Sequence, residues 1–329
     1  HDIIYLDHNS TTPVDPEVLD AMLPYFSELY GNAASVDHEA GNIAKRAVEI
    51  AREQCAKIIN AKSEKEVIFT SGATESDNIA IFGVADQYAD KGDHIITCVT
   101  EHKAVLDCCA QLEAQGKRVT YLGVDEFGLI DLDELESAIT SETILITIMF
   151  ANNEIGTIQP IKEIGAIARK HGVIFHTDAA QAVGHISVDV QDMNIDILSF
   201  SAHKTYGPKG IGGLYVRRRS FPPVKLSPVI YGGGHEAGLR SGTLNVPAIV
   251  GMGKAVEIAD EKMKAESERY TQLTQYILSH LKASLGDENV MLNGHPTLRL
   301  PHNLNISIKG IESRSLIIQL KRIALSTGS

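Results

Sequence analysis

The run Ile144-Leu-Ile-Thr-Ile-Met-Phe150 has almost no polar alternation. A strand with one wet face reads apolar and polar by turns, so a continuous apolar run has to be covered on both faces. This one belongs to a series. Strand-like runs fall at 67–69, 94–99, 118–123, 144–150, 173–178, 196–200 and 212–216, and helical stretches at 75–89, 104–115, 131–139 and 161–170 are interleaved with them. Such alternation predicts an α/β fold with a mostly parallel, seven-stranded-type sheet and helices on both faces.

What flanks the series has a different character. Tyr5-Leu-Asp-His-Asn-Ser-Thr-Thr-Pro13 reads as an extended arm running into a polar turn. Asp15-Pro16 then starts a helix, as N-cap and first-turn proline. Its apolar stripe is Val18, Leu19, Met22, Leu23 and Phe26, and Gly31-Asn32 ends it. A second helix spans about 38–60, with Ile43, Ala47, Ile50 and Ile58 facing inward. A long charged helix at 247–284 leads out of the sheet. Beyond it come a strand at 304–308, a helix at 313–322 and a strand beginning at 324–325, an α+β arrangement. The expected division is a large domain over 15–255 and a small one built from 1–14 and 256–329, enough residues for a sizeable core.

Composition removes several classes. The formal charge of −12 argues against a general nucleic-acid surface and for a soluble cytoplasmic protein. No run reaches the roughly 18 apolar residues of a membrane span, and His1-Asp2-Ile3-Ile4 opens no signal segment. Cys55, Cys98, Cys108 and Cys109 show no Cys-x-x-Cys spacing, which argues against a zinc site or a disulfide framework.

Ligands of open parallel sheets bind at the carboxyl ends of the strands, and there the chain is rich in chemistry. Thr70-Ser-Gly-Ala-Thr-Glu75 opens a helix; the N–H groups around Ala73 and the Thr74 hydroxyl suit a phosphate, though capping alone also explains such residues. His102 and Asn153 follow two further strands, where surface turns are the plain alternative. Asp178 ends a buried strand, and a carboxylate there needs a partner. The nitrogen of a pyridine ring is one; an N-capping role is the other reading. Ser199-Phe-Ser-Ala-His-Lys204 ends the next strand with hydroxyls, an imidazole and an amine. A lysine so placed suits a Schiff base with a phosphorylated aldehyde cofactor, or else lies in solvent. Five strand ends carrying Thr74, His102, Asn153, Asp178 and Ser201/His203/Lys204 are far more specific together than singly.

The same segments, with Thr100-Glu-His-Lys-Ala-Val105, Asn152-Asn-Glu-Ile-Gly156, His176-Thr-Asp-Ala-Ala-Gln181 and Arg240-Ser-Gly-Thr243, resemble the cysteine desulfurases of the NifS/IscS type. These are pyridoxal 5'-phosphate enzymes of the class-V aminotransferase family, with the aspartate-aminotransferase-like fold. The resemblance covers nearly the whole chain. It implies that Lys204 holds the cofactor and moves protons on the substrate, and that His102 stacks on the ring. It implies that Asp178 pairs with the ring nitrogen and Gln181 with the ring hydroxyl. Ala73, Thr74, Ser201 and His203 would line the phosphate site, with Thr243 reaching it from a second subunit of a homodimer. Asn153 would help hold the amino acid. The implied reaction turns L-cysteine into L-alanine and passes the sulfur to an enzyme cysteine as a persulfide. A sulfur-acceptor or scaffold protein would receive it next, for iron–sulfur cluster assembly or for tRNA or DNA thiolation. No metal, direct nucleic-acid or membrane partner is implied.

The family's nucleophilic cysteine follows Ser-x-Gly-Ser-Ala, and here the sequence reaches Ser326-Thr-Gly-Ser329. The expectation is therefore that the natural chain continues with Ala-Cys, and that the four cysteines present are core or helix-face residues. Two other readings stand beside this one: a cysteine/selenocysteine lyase or aminotransferase of the same fold, and a non-catalytic sulfur-transfer scaffold.

Overall fold

The computed structural model describes residues 3–218 and 222–327. The expectations for His1-Asp2 and for the last two residues of the Ser326-Thr-Gly-Ser329 motif lie outside the described residues. In chain order the arm forms β1 (Ile4–Tyr5), followed by α1 (Pro16–Met22), α2 (Pro24–Ser27) and α3 (Glu39–Ile58). Then come β2 (Val67–Thr70), α4 (Ala73–Gln87), β3 (His94–Cys98), α5 (Lys103–Ala114), β4 (Arg118–Leu122), α6 (Leu132–Ala138), β5 (Thr143–Thr147), α7 (Ile161–His171), β6 (Ile174–Asp178), β7 (Ile197–Ser201) and β8 (Gly212–Val216). The chain continues through α8 (Val246–Leu285), β9 (Val290–Leu292), β10 (Ile306–Ile308), α9 (Ser313–Gln319) and β11 (Ile323–Ala324).

The seven strands β2 to β8 make one sheet, ordered β2-β8-β7-β6-β5-β3-β4. The pairs β3–β4, β3–β5, β5–β6 and β6–β7 are parallel; β8 is antiparallel to both of its neighbours. Every residue of β2, β3, β5, β7 and β8 is buried, as continuous apolar runs require when both faces are covered. Two core clusters lie on the sheet. One joins it to α3, α7 and α8, the other to α4 and α5. α8 packs along α3 and α1, and its buried residues all fall in its first half, up to Ala259. The N-terminal arm rejoins the end of the chain through parallel pairing of Ile4 with Ile323 and Tyr5 with Ala324.

Local signals hold at most helix starts. Asp15 accepts from Glu17 N at 2.8 Å with Pro16 next, and Asp131 accepts from Asp133 N and Glu134 N. The α1 stripe is a correction. The helix ends at Met22 and a new one begins at Pro24, whose ring and missing N–H interrupt the ladder. Val18 and Met22 are buried, whereas Leu19, Leu23 and Phe26 are exposed. Ile50 is likewise exposed; the inward face of α3 is made by Ala44, Ala47, Val48, Ala51 and Cys55.

One close approach fixes the turn that leads into α4. A Cβ at Gly212 would lie 2.6 Å from the Gly72 backbone and 2.8 Å from Phe200 O. Gly212→Ala should therefore destabilise the fold by about 1–3 kcal/mol, the usual cost of overpacking. Chemical denaturation of the purified variant measures this, and an unchanged midpoint would show that the turn gives way freely.

Candidate active site

The carboxyl ends of β2, β3, β5, β6 and β7 carry all but Thr243 of the residues singled out in the sequence, either as the last residue of the strand or in the segment that follows it. After β2, the first turn of α4 presents Ala73, half-buried, and Thr74, exposed. Glu75 in that turn is clamped by Arg240, with Nε 2.7 Å from Oε1. Burial alone would raise the Glu75 pKa; the Arg240 and Ser71 hydrogen bonds outweigh it and hold the carboxyl low. After β3, exposed His102 is the N-cap of α5, its Nδ1 accepting from Ala104 N at 3.1 Å. The capping role is thus real and leaves Nε2 as the nitrogen available for chemistry. After β5, Asn153 is half-buried and its carbonyl accepts from Asn9 Nδ2 at 3.1 Å.

Asp178 ends β6 and is buried; Oδ1 accepts from Ala180 N at 3.0 Å, so capping is part of its role too. Burial first, and then the neighbouring Asp77 carboxyl, push its pKa far above the carboxylate range. Gln181 is buried just beyond it. Ser201 ends β7, and its buried Oγ meets no hydrogen-bond partner among the described residues. His203 Nδ1 lies 3.0 Å from Thr11 Oγ1; burial and the nearby Lys204 and Lys209 charges lower its pKa to about 4, so its ring is neutral. Lys204 is half-buried, and desolvation lowers its pKa against the pull of Asp178 and Asp7. Thr243 stands apart from the strand-end row in sequence: it is exposed, three residues beyond Arg240.

The structure adds partners that the sequence reading did not name. The N-terminal arm crosses the site. Asn9 O accepts from Lys204 Nζ at 2.5 Å and from Gln181 Nε2 at 2.9 Å, and Ser10 O accepts from Lys204 at 2.7 Å. Thr12 Oγ1 donates to His203 O at 2.8 Å and accepts from Tyr206 N. Behind Asp178 lie Asp77, His176, Ser199 and Glu101, all buried. An acidic residue set in the apolar stripe Asp77, Ile81, Val84 was the signal available for Asp77.

All four cysteines are buried. Burial pushes Cys55, Cys108 and Cys109 up to about 12, so none of these thiols is a ready thiolate. They are core residues, as expected.

The sequence matches the aminotransferase class-V family over residues 4–329. It is 53% identical over 327 residues to the cysteine desulfurase IscS of Methylococcus capsulatus, covering 99% of this chain and 79% of that protein. The fold superposes on a NifS-like protein with a TM-score of 0.91 at 39% identity, covering 98% of this chain and 87% of the other. A structure described as SspA in complex with cysteine gives 0.85 at 40% identity, covering 99% and 89%. The chain belongs to the class-V aminotransferases, a family whose members depend on pyridoxal phosphate. Within that family it is one of the cysteine desulfurases of the IscS/NifS type.

The site fits that cofactor. Ser201 Oγ is an unpartnered hydroxyl at a strand end, suited to a phosphate oxygen, and Asp178 is a buried carboxyl suited to a ring cation. The same burial sets the pH response of the apoprotein. His176 and His203, with pKa lowered from 6.5 to about 4, bind fewer protons folded than unfolded, so stability rises from about pH 4 to 6.5. Asp77 and Asp178, raised from 3.8 to about 7 and about 8, bind more protons folded, so their contribution is full below about pH 4 and is lost as pH rises to those values. Between about pH 4 and 6.5 the two pairs oppose each other, so the melting temperature of the apoprotein should fall most clearly between about pH 6.5 and 8, and Asp178→Asn should flatten that fall. A melting temperature still climbing at pH 8 would contradict these shifts.

Proposed function

We propose that this cysteine desulfurase binds pyridoxal 5'-phosphate covalently at Lys204 and acts on L-cysteine, releasing L-alanine. The observation that carries the reading is the placement of Asp178 and Lys204. They sit at and just beyond the carboxyl ends of two adjacent parallel strands, with the unpartnered Ser201 hydroxyl at the same edge. The cofactor supplies an electron sink for charge that develops when the substrate's Cα proton leaves.

The remaining chemistry falls to side chains. Burial favours a neutral, nucleophilic Lys204 amine, while the Asn9 and Ser10 carbonyls hold its N–H groups in place. Once deprotonated, that amine can take and return the substrate proton. Asp178 holds the ring nitrogen in its charged form, His102 covers the ring face, and Gln181 meets the ring hydroxyl. The Ala73 N–H and the Thr74, Ser201 and His203 side chains hold the phosphate. His203 is neutral, so it acts as a hydrogen-bond donor and not as a cation. Asn153 orients the amino acid.

We assign Thr243 to the phosphate site of a partner subunit in a homodimer. Its exposure supports this, as do the exposed apolar side chains Leu19, Leu23, Phe26, Leu29 and Tyr30 within one stretch of the chain. The sulfur passes first to an enzyme thiol outside the four buried cysteines, then to an acceptor or scaffold protein, with iron–sulfur assembly as the route the IscS relatives suggest. No helix of the described residues is long and apolar enough to cross a membrane.

Borohydride reduction after incubation with pyridoxal phosphate, followed by peptide mapping, should place the label on Lys204. Lys204→Ala should abolish the label and lower alanine formation from L-cysteine by about 10³-fold or more, since attachment and proton transfer go together. A label on any other lysine overturns the assignment.

A further inference from the structure

Asp77 is a fully buried ionisable group that the roles above leave unused. It lies on α4 at the head of the stripe Asp77, Ile81, Val84, where each side chain has no exposed surface. An apolar residue there would complete the packing, so a carboxyl needs a chemical reason to stay. Neither Asp77 oxygen meets a hydrogen-bond partner at full bonding geometry. Its polar neighbours are Ser199 and the Asp178 carboxyl, and His176 Nε2 stands 3.5 Å from Oδ1.

His176 does not neutralise the pair. Its Nδ1 lies 2.8 Å from Thr147 Oγ1 and its Nε2 lies 2.9 Å from Ser199 Oγ. Burial keeps the ring neutral, with a pKa of about 4. Of the nearby cations, Arg240 pairs with Glu75 in the first turn of α4 and Lys204 lies within reach of Asp178, and neither acts on Asp77. Cys108 comes from α5 and Glu101 from the β3–α5 turn; β2 and β8 meet α4 through the bonds from Ser76 to Thr70 Oγ1 and Gly213 O. Two buried carboxyls in contact, with no cation acting on Asp77, favour sharing one proton over both being ionised.

We propose that Asp77 is a positioning residue that keeps this proton and donates it to Asp178, so that Asp178 faces the ring nitrogen as the anion. The inference rests on the assignment of Asp178 to that nitrogen. One proton on two carboxyls leaves a single negative charge, which the single positive charge of a protonated ring nitrogen balances. The donated hydrogen bond stabilises the charged form of Asp178 where water is absent. The serine, histidine and threonine behind the pair fix the orientation of the shared proton without adding charge.

The test is infrared spectroscopy of the holoprotein at neutral pH. Glu101 is a second buried carboxyl whose pKa burial raises well above its usual value, so its signal is removed with Glu101→Gln. Glu66, Asp196 and Glu236 are also buried, with Arg218 N, Arg217 and Arg52 donating to them, so the band is assigned by its response to the Asp77 substitution. The Glu101→Gln protein should keep a protonated-carboxyl stretch, and adding Asp77→Asn should remove it. No such band, or a band that survives Asp77→Asn, overturns the proposal. The first result needs no Asp77 variant, so it stands even if that variant fails to fold.

Pyridoxal phosphate affinity gives a second reading. Asp77→Asn keeps a donor and should bind within about threefold of the parent, whereas Asp77→Leu should bind at least about tenfold more weakly. Equal binding by all three overturns a positioning role. Failure of the cofactor assignment looks different: the protein would take up no pyridoxal phosphate at all, whatever the state of the carboxyl band.

Discussion

β6 and β7 run parallel and in register, with Asp178 opposite Ser199. That pairing is what the rest of the site depends on. Parallel strands send their chains out at the same edge of a sheet, so the carboxyl that ends β6 and the amine three residues beyond β7 emerge side by side. Both strands are almost wholly buried, which removes water from behind Asp178 and makes its charge costly. The same burial lowers the pKa of Lys204. A fold that placed these groups on a wet surface would leave the carboxylate content with water and the lysine fully charged.

A second set of contacts ties the segment around Glu236 and Arg240 to the scaffold. Arg52 on α3 forms a bidentate pair with Glu236 at 2.7 and 2.8 Å, and it also donates to Val67 O. Glu236 Oε2 accepts from Phe69 N at 2.7 Å, and the Arg52 guanidinium lies 4.8 Å from the centre of the Phe69 ring. Glu236 and Ala237 both adopt positive φ, near 52° and 57°. Such backbone strain persists only where surrounding contacts over-determine it, and the Arg52–Phe69 cluster supplies them. Arg240 then grips Glu75 at the start of α4. Two ion pairs thus anchor the segment that carries Thr243 to β2 and the start of α4, beside the proposed phosphate site.

The strand-end residues were legible in the sequence because local pattern and chemistry coincide there. Apolar runs name the buried strands, and Asp178 and Lys204 come at or just after their ends. The crossing of the N-terminal arm over Lys204 was not legible. It joins residues 195 apart in the chain through backbone carbonyls, which carry no residue signature. Asp77 was missed because it sits within a helical stripe and belongs to the site only through the packing of α4 on the sheet. Leu19, Leu23 and Phe26 misled for the opposite reason: helical spacing describes a face, and Pro24 breaks the helix before that face can form.

The proposed chemistry depends on buried Asp178 keeping a ring nitrogen charged. The most direct measurement is nuclear magnetic resonance of the protein loaded with pyridoxal phosphate labelled with ¹⁵N in the ring. The nitrogen should report as protonated in the parent protein and as unprotonated in Asp178→Asn. An unprotonated nitrogen in the parent, or a protonated one that Asp178→Asn leaves unchanged, would contradict it.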